Sequence, residues 1–300
     1  MASTREIRRR IRSVGNMQQI TRAMEMVSAA KMRKAQQRVT ASRPYSDQLR
    51  QIMSDLATQQ PDPEQMGQFP LLQKRPIQNI ELIVVSPDRG LTGALNTNIL
   101  RRATRFVLEE TPPSSGGGPG GEIRAPVRVI AVGKKARDYF VRTRQEVVAE
   151  FIGLGDNVTL DAIRPVADIA IDEFVAGTVD AVYVVTARFV NTLIQRPEVV
   201  QILPVEPPPA SEGYSDYIFE PSPAAVLNDL LPRYVEVLLY QALLEGLASE
   251  HSARMVAMRS ASDNAKEVQR ELTLSLNKAR QAQITREVSE IAAGANALAG

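Results

Sequence analysis

Cysteine and tryptophan are absent from these 300 residues, and histidine occurs once, at His251. Without cysteine there is no disulfide frame, no thiolate metal site and no cysteine nucleophile. A single imidazole narrows the options for general acid or base chemistry at neutral pH. Aromatic residues make up 5% of the chain, which is poor for stacking single-stranded bases and ordinary for a helical interaction protein. An excess of charge of one sign is missing as well. Lys and Arg number 36 against 34 Asp and Glu, a formal net charge of +2, which disfavours a globally basic nucleic-acid binder. No apolar run approaches the roughly 20 residues needed to span a bilayer, so the chain reads as soluble, or peripheral to a membrane through something else. Its length allows one large or two ordinary domains.

Proline is missing from two long stretches, and the chain is organised around them. From Arg233 to Gly300 only Gly246, Gly294 and Gly300 interrupt a run rich in Ala, Leu, Glu, Lys, Arg, Met and Gln, residues that lose least on entering a helix. One continuous helix there would run roughly 100 Å. Ala261, Ala265, Val268, Leu272, Leu276 and Ala279 step by three or four, the spacing of a helix seam. A second stripe follows at Ile284, Val288, Ile291, Ala295 and Leu298, and the jump from Ala279 to Ile284 rotates the apolar face. The two halves of this helix are therefore expected to serve different partners, one within the chain and one outside it.

The other proline-free stretch covers residues 4 to 43, with apolar positions at Ile7, Ile11, Val14, Met17, Ile20, Met24 and Val27. This predicts a second helix of about 60 Å, capped by Ser3 or Thr4, kinked or ended by Pro44 and resuming to about residue 58. Its charge is lopsided: Arg5, Arg8, Arg9, Arg10, Arg12, Arg22, Lys31, Arg33, Lys34, Arg38 and Arg43 stand against Glu6 and Glu25. Arginines in the first turns oppose the helix dipole, which favours anions there. An acidic partner surface would make sense of them. A transit peptide, a nucleic-acid arm and the solvated basic face of a coiled-coil strand remain open for this arm. The two end helices most simply pack as an antiparallel coiled coil, but about 40 residues cannot cover 68. Part of the second helix must pack elsewhere or be sheathed by another protein.

Between them the pattern changes. Pro61, Pro63, Gly67, Pro70 and Pro76 mark a linker over residues 60 to 76. Strands are expected at Ile80 to Ser86, Val127 to Val132, Glu146 to Ile152, Ala181 to Thr186, Val199 to Pro204 and Tyr217 to Phe219. Helices are expected at 94 to 109, from Lys134 to Thr143 and from Leu160 to Ala176. This alternation predicts an α/β layer domain with a partly parallel sheet. The chain thus divides into an N-terminal helix (1–58), a central α/β domain (77–220) and a C-terminal helix (221–300). The loop from Ser86 to Gly93 lies between a strand and a helix, where phosphates often bind, but its glycines at 90 and 93 fit neither the dinucleotide fingerprint nor a phosphate loop. It reads first as a turn, as does Gly153 to Asn157. Thr111 to Gly121 is a flexible glycine-rich loop. No Ser/His/Asp set, paired-carboxylate motif or metal spacing emerges, so no cofactor is expected. His251 reads as a packing or surface residue.

Ile7 to Gln36 (IRRRIRSVGNMQQITRAMEMVSAAKMRKAQ) resembles the N-terminal signature of the gamma subunit of rotary F-type ATP synthase. SEHSARMVAMRSASDNA and NKARQAQITREVSEIAAGANAL, within Ser249 to Leu298, are similar to that family's C-terminal signature, and the central DRGLTGALNTNI to a third family segment. The resemblance implies a non-catalytic rotor shaft whose end helices form an antiparallel coiled coil inside a hexamer of alpha and beta subunits. It places the α/β domain at the base with the epsilon subunit and the membrane ring of c subunits. Nucleotide chemistry then belongs to beta, and the setting is the cytoplasmic face of a bacterial plasma membrane. By the same resemblance Met24 faces an acidic beta loop, with positive charge supplied by residues 8 to 12 (Arg8, Arg9, Arg12) and 31 to 34 (Lys31, Arg33). Arg254, Gln281, Thr285 and Glu287 match family positions implicated in shaft contacts and coupling. The sequence departs from the family at Pro87, which separates Ser86 from Asp88, and at Thr92 and Ala94. The glycine-rich loop at 111 to 121 looks like an insertion. The redox-regulated chloroplast form is disfavoured by the missing cysteine.

Overall fold

The computed structural model describes residues 4–58, 69–112, 124–206 and 220–299. These divide into two compact units, one formed by Met1–Ser28 with Arg254–Gly300 and the other by Ala29–Ala253. Two long helices, α1 (Thr4–Thr58) and α5 (Pro223–Ala299), run on from one unit into the other. The expected linker at 60 to 76 falls partly, and the glycine-rich loop and the strand at Tyr217 to Phe219 mostly or wholly, outside the described residues.

The unit of residues 29–253 is a layered α/β domain. Its elements between the long helices are β1 (Ile80–Val85), α2 (Leu95–Arg105, continued by a π turn at Phe106–Glu110), β2 (Val127–Val132), α3 (Lys134–Arg142), β3 (Val147–Phe151), α4 (Leu160–Val175), β4 (Ala181–Phe189) and β5 (Gln195–Leu203). The sheet order is β3-β2-β1-β4-β5, with every pair parallel except β4 with β5. Ile80 lies opposite Val127 on one side and Ala181 on the other. A central parallel strand is covered on both faces, which is why β1 is a continuous apolar run, all six positions buried, instead of an alternation. Ile80, Leu82 and Val84 face one cluster with Leu95, Ile99 and Ala103 of α2 and Phe140 of α3. Ile83 and Val85 face the other, with Val166, Ala170 and Phe174 of α4, Leu49 and Met53 of α1, and Leu231, Val235 and Leu243 of α5.

Helix α5 comes close to the sheet where its side chains are small. A β-carbon at Gly246 would meet Val85 Cγ1 at 3.1 Å and Thr186 Oγ1 at 3.2 Å. Thr186 Oγ1 donates to the Ala242 carbonyl (2.9 Å) and Ser249 Oγ to the Ala187 carbonyl (2.8 Å). Any larger residue at 246 would lift the helix off these bonds.

Neither proline of the long helices ends them. Pro44 lies inside α1 and Pro232 inside α5, so the first helix is not broken there and the second starts ten residues before the proline-free run. A proline orphans the carbonyl four residues earlier. Here those carbonyls belong to the exposed Thr40 and Asn228, where water can bond them.

In the other unit the N-terminal part of α1 pairs with the C-terminal part of α5. Arg259 Nε is 3.0 Å from Glu25 Oε1, and a β-carbon at Gly15 would lie 3.3 Å from Gln269 Nε2. Ten residues down α1 correspond to ten residues up α5, so the pair is antiparallel and in constant register. Its inward positions are Thr4, Ile7, Ile11, Val14, Gln18, Thr21, Glu25 and Ser28 on α1, and Met255, Met258, Ser262, Ala265, Gln269, Leu272, Leu276 and Ala279 on α5. Both series step three, four, three, four, the 3.5-residue period of a left-handed coiled coil. The seam differs from the expected one. Met17, Ile20 and Val27 are exposed by 55 to 60%, and Val268 by 43%, because the heptad that buries Ile7 and Ile11 turns those residues outward and draws in Gln18, Thr21, Ser28 and Gln269 instead.

Candidate functional site

Continued in the same register, Thr4 at the start of α1 falls opposite residue 280 of α5. Beyond that point every residue from 281 to 295 is exposed, Ile284 by 49%, Val288 by 59% and Ile291 by 72%. The apolar stripe therefore changes face where the internal partner ends. Gln281, Thr285 and Glu287 stand on this uncovered stretch, Glu287 accepting a hydrogen bond from Gln283 Nε2 at 2.9 Å.

The same unit carries an uncovered face on α1. Met17, Ile20 and Val27 stand one helical turn apart with the half-buried Met24 among them. Arg8, Arg9 and Arg12 are exposed on the first turns, whereas Arg10 reaches back to Glu6 at 2.8 Å. Exposed apolar side chains thus stand on the same helix as exposed cations. Arg254 is partly buried at the start of this unit's part of α5.

In the α/β unit the sequence-predicted cations are placed differently. Arg33 is exposed, while Lys31 has an internal partner, Asp156 Oδ2 at 2.6 Å. His251, buried to 2%, holds the other carboxylate oxygen at 2.9 Å. Burial would raise the Asp156 carboxyl, but the Lys31 ammonium and His251 outweigh it and hold the group below the usual carboxylate range. Sequence reasoning missed this cluster because its members are 125 and 95 residues apart; two glycines just before an acid, Gly153 and Gly155 ahead of Asp156, were its only local sign.

Enzymatic chemistry is not assembled among the described residues. The loop after β1 resembles a phosphate site in position only. Ser86 Oγ accepts from the Ala136 N–H (2.8 Å), and Asp88 accepts from the N–H groups of Lys134 (2.8 Å) and Gly153 (3.0 Å), so the chain's own carboxylate fills the anion position at the start of α3. Left-handed backbone occurs at Leu91 and Gly93 but not at Gly90. Gly133 is required: at φ +102° its β-carbon would sit 1.9 Å from the Ser86 carbonyl. A hollow of about 760 Å³ between α2 and α3 is lined by residues including Arg101, Arg105, Leu108 and Tyr139. Arg105 there is paired with Glu109 (2.9 Å), and Tyr139 with Thr104 (2.9 Å). Glu81 on β1 is fully buried with neither carboxylate oxygen hydrogen-bonded, and burial followed by the nearby Glu173 charge pushes it up to about 8, against the pull of Arg128. No group of three His, Cys, Asp or Glu among the described residues could hold a metal ion, and no helix is long and apolar enough to cross a membrane.

An α/β domain threaded by two long helices, which pair elsewhere as an antiparallel coil with one end uncovered among the described residues, defines a coiled-coil stalk protein. The chain belongs to the ATP synthase gamma chain family. The family model described as ATP synthase matches residues 3–298. The ATP synthase gamma chain of Roseiflexus sp. strain RS-1 is 56% identical over 301 residues, covering 100% of this chain and 99% of that one. That of Chloroflexus aurantiacus strain J-10-fl is 52% identical over 300 residues, with 99% of each covered. Among solved structures, a chain of the Euglena gracilis mitochondrial ATP synthase, in its OSCP/F1/c-ring assembly in rotational state 3, aligns with a TM-score of 0.68 at 19% identity over 98% of this chain and 94% of that one. The central stalk and c-ring structure of the Tetrahymena thermophila mitochondrial ATP synthase contains a match with a TM-score of 0.59 at 20% identity, covering 81% of this chain and 99% of the other. At such identities the likeness is one of fold.

Proposed function

We propose that this chain is the central rotor shaft of an ATP synthase and contributes no catalytic residue of its own. Its coil turns inside a hexamer of alpha and beta subunits, and its α/β domain joins the epsilon subunit and the ring of c subunits. Membrane association, at the cytoplasmic face of a bacterial plasma membrane, runs through that ring. Ring rotation drives the asymmetric shaft, which takes the beta sites through binding, condensation and release of ATP.

The observation that carries this reading is the uncovered end of α5. A 77-residue helix exposed at every position from 281 to 295 among the described residues, in a family of ATP synthase gamma chains, is built to be enclosed by other subunits. The coil's seam supports the same conclusion: with Thr4, Gln18, Thr21, Ser28, Ser262 and Gln269 facing inward, it gains less from burial than a leucine seam. Arg8, Arg9, Arg12, Met24, Arg33 and Arg254 are the shaft's candidate contacts to acidic and apolar parts of the sleeve, with Gln281, Thr285 and Glu287 the coupling positions near its end. Lys31, paired within the chain, acts first on the shaft itself.

Reconstitution with cognate alpha and beta subunits tests the proposal. A stable complex is expected that hydrolyses ATP and turns a bead fixed to the α/β domain, while the chain alone neither binds nor hydrolyses nucleotide. Failure to form a complex, or turnover by the isolated chain, would refute it.

A further inference from the structure

The Gly153–Asn157 loop does more than turn the chain. Gly153 and Gly155 take φ of +74° and +73°, left-handed values that carry the loop outward from the end of β3. At its first residue the Gly153 N–H donates to Asp88 Oδ2, and Asp88 Oδ1 in turn accepts the Lys134 N–H of α3. At its far end Val158 is buried in the core cluster shared with α4 and α5. Between these anchors Asp156 binds both long helices: Lys31 of α1 at 2.6 Å and His251 of α5 at 2.9 Å. Arg38, two turns further along α1, donates to the Asp156 carbonyl (2.8 Å) and to Asn157 Oδ1 (2.7 Å). A continuous line of polar contacts therefore joins the carboxyl edge of the sheet to both helices, all within the α/β unit, with Lys31 and His251 each two residues from the points, Ala29 and Ala253, where those helices leave it.

We infer that Asp156 is a positioning residue for torque: the 153–157 loop is a strut that fixes the rotational setting of α1 and α5 against the sheet. This inference rests on the rotor reading above. Dispersion contacts between helix and sheet are not directional and permit roll. The Thr186–Ala242 and Ser249–Ala187 bonds already resist it for α5, and the strut adds a hold on both helices. Directed contacts to two oxygens of one carboxylate, on an anchored loop, oppose that roll. The Lys31–Asp156 pair is 44% exposed on each side and adds little to stability, so its value is geometric. Because the buried His251 also loses this partner in an alanine variant, angular stiffness rather than the unfolding midpoint separates the proposal from a merely structural role.

The experiment uses the chain reconstituted with alpha and beta subunits. A bead is fixed through cysteines placed at the exposed Arg101 and Arg142, the only cysteines in the chain. The readout is the variance of bead angle during catalytic pauses, which varies inversely with torsional stiffness. If the strut shares the load equally with the other contacts of α5 to the sheet, Asp156→Ala raises that variance about twofold, together with a lower unfolding midpoint of the free chain because the buried His251 loses this partner. Asp156→Asn, which keeps an acceptor for His251, and Arg38→Gln, which removes only the outer contacts, broaden it less. Asp161→Asn, a neighbouring carboxylate with 82% exposure paired to Arg164, leaves it at the wild-type value. Should the alanine variant fail to assemble, the two milder ones decide. Wild-type variance in every assembled Asp156 and Arg38 variant would overturn the strut, as would a lowered midpoint with unchanged variance. A wild-type complex that does not rotate would refute the rotor reading instead, a different result.

Discussion

Strand β1 is buried at all six of its positions, whereas the stretch of α5 from 281 to 295 is exposed at all fifteen. The first lies in a unit that completes its own core, with helices on both faces of a sheet. The second ends a unit whose packing, among the described residues, is one seam between two helices, half of it polar or small. A two-helix coil with such a seam is marginal in water, while a layered domain with two apolar clusters is self-sufficient. The contrast fits a division of labour: one part holds its shape alone, and the other takes its final environment from a sleeve.

Three substitutions sharpen that contrast, and the distribution of tyrosine makes it measurable. All seven tyrosines lie between residues 45 and 240, so tyrosine fluorescence follows the α/β unit alone, while far-ultraviolet dichroism follows both. The largest effect is expected from Phe174→Ala. This ring is fully buried between α4 and the sheet, with the Arg75 guanidinium 4.4 Å from its centre. Its loss should cost about 3–5 kcal/mol, seen as a lowered urea midpoint by fluorescence. A change below about 1 kcal/mol would mean that the core is looser than its burial shows.

Glu81→Gln comes next, with the opposite sign. The folded-state carboxyl titrates near 8, above its unfolded value of about 4.3. The folded state therefore holds a proton that the unfolded state has lost. Stability from this group is fully present below the unfolded value and falls as pH rises through the folded one. Glutamine has no such proton to lose, so the variant should gain on the wild type by a few kcal/mol between pH 5 and 8.5, each conversion of one unit being about 1.4 kcal/mol. Equal urea midpoints for the two proteins at pH 8.5 would contradict the buried, unpaired state of Glu81.

The smallest effect belongs to Leu272→Ala. The side chain is on the coil seam but only partly buried, so about 1 kcal/mol is expected. It should appear as reduced helicity by dichroism with no shift in tyrosine fluorescence. A fluorescence shift as large as that of Phe174→Ala would show that the two units do not differ in the way described.

Much of this was legible in the sequence for a physical reason: period. Strands β1 and β2 read directly because buried parallel strands are unbroken apolar runs, and the shift of stripe after Ala279 marked the end of the coil's internal cover. Period failed where two stripes compete. On α1 the residues Met17, Ile20 and Val27 make as good an apolar line as Ile7, Ile11 and Val14, and only the partner helix decides which faces inward. Proline misled in another way, since Pro44 and Pro232 sit where the orphaned carbonyl faces water. The Asp156 cluster had no period at all, because its parts come from α1, a loop and α5, and only tertiary structure brings them together. The family's quoted motifs located Arg8, Met24 and Gln281 along the chain, but not that Lys31 would be tied to an internal carboxylate.

Hydrogen exchange over the full chain, read once alone and once in complex with cognate alpha and beta subunits, tests the division most directly. In the free chain, amides of β1 and β2 should exchange slowest and those of residues 281–295 fastest, with the rest of the coil between. In the complex, 281–295 should become protected while the strands change little. Slow exchange at 281–295 in the free chain, or no protection there in the complex, would contradict an end of α5 built to be covered by other subunits.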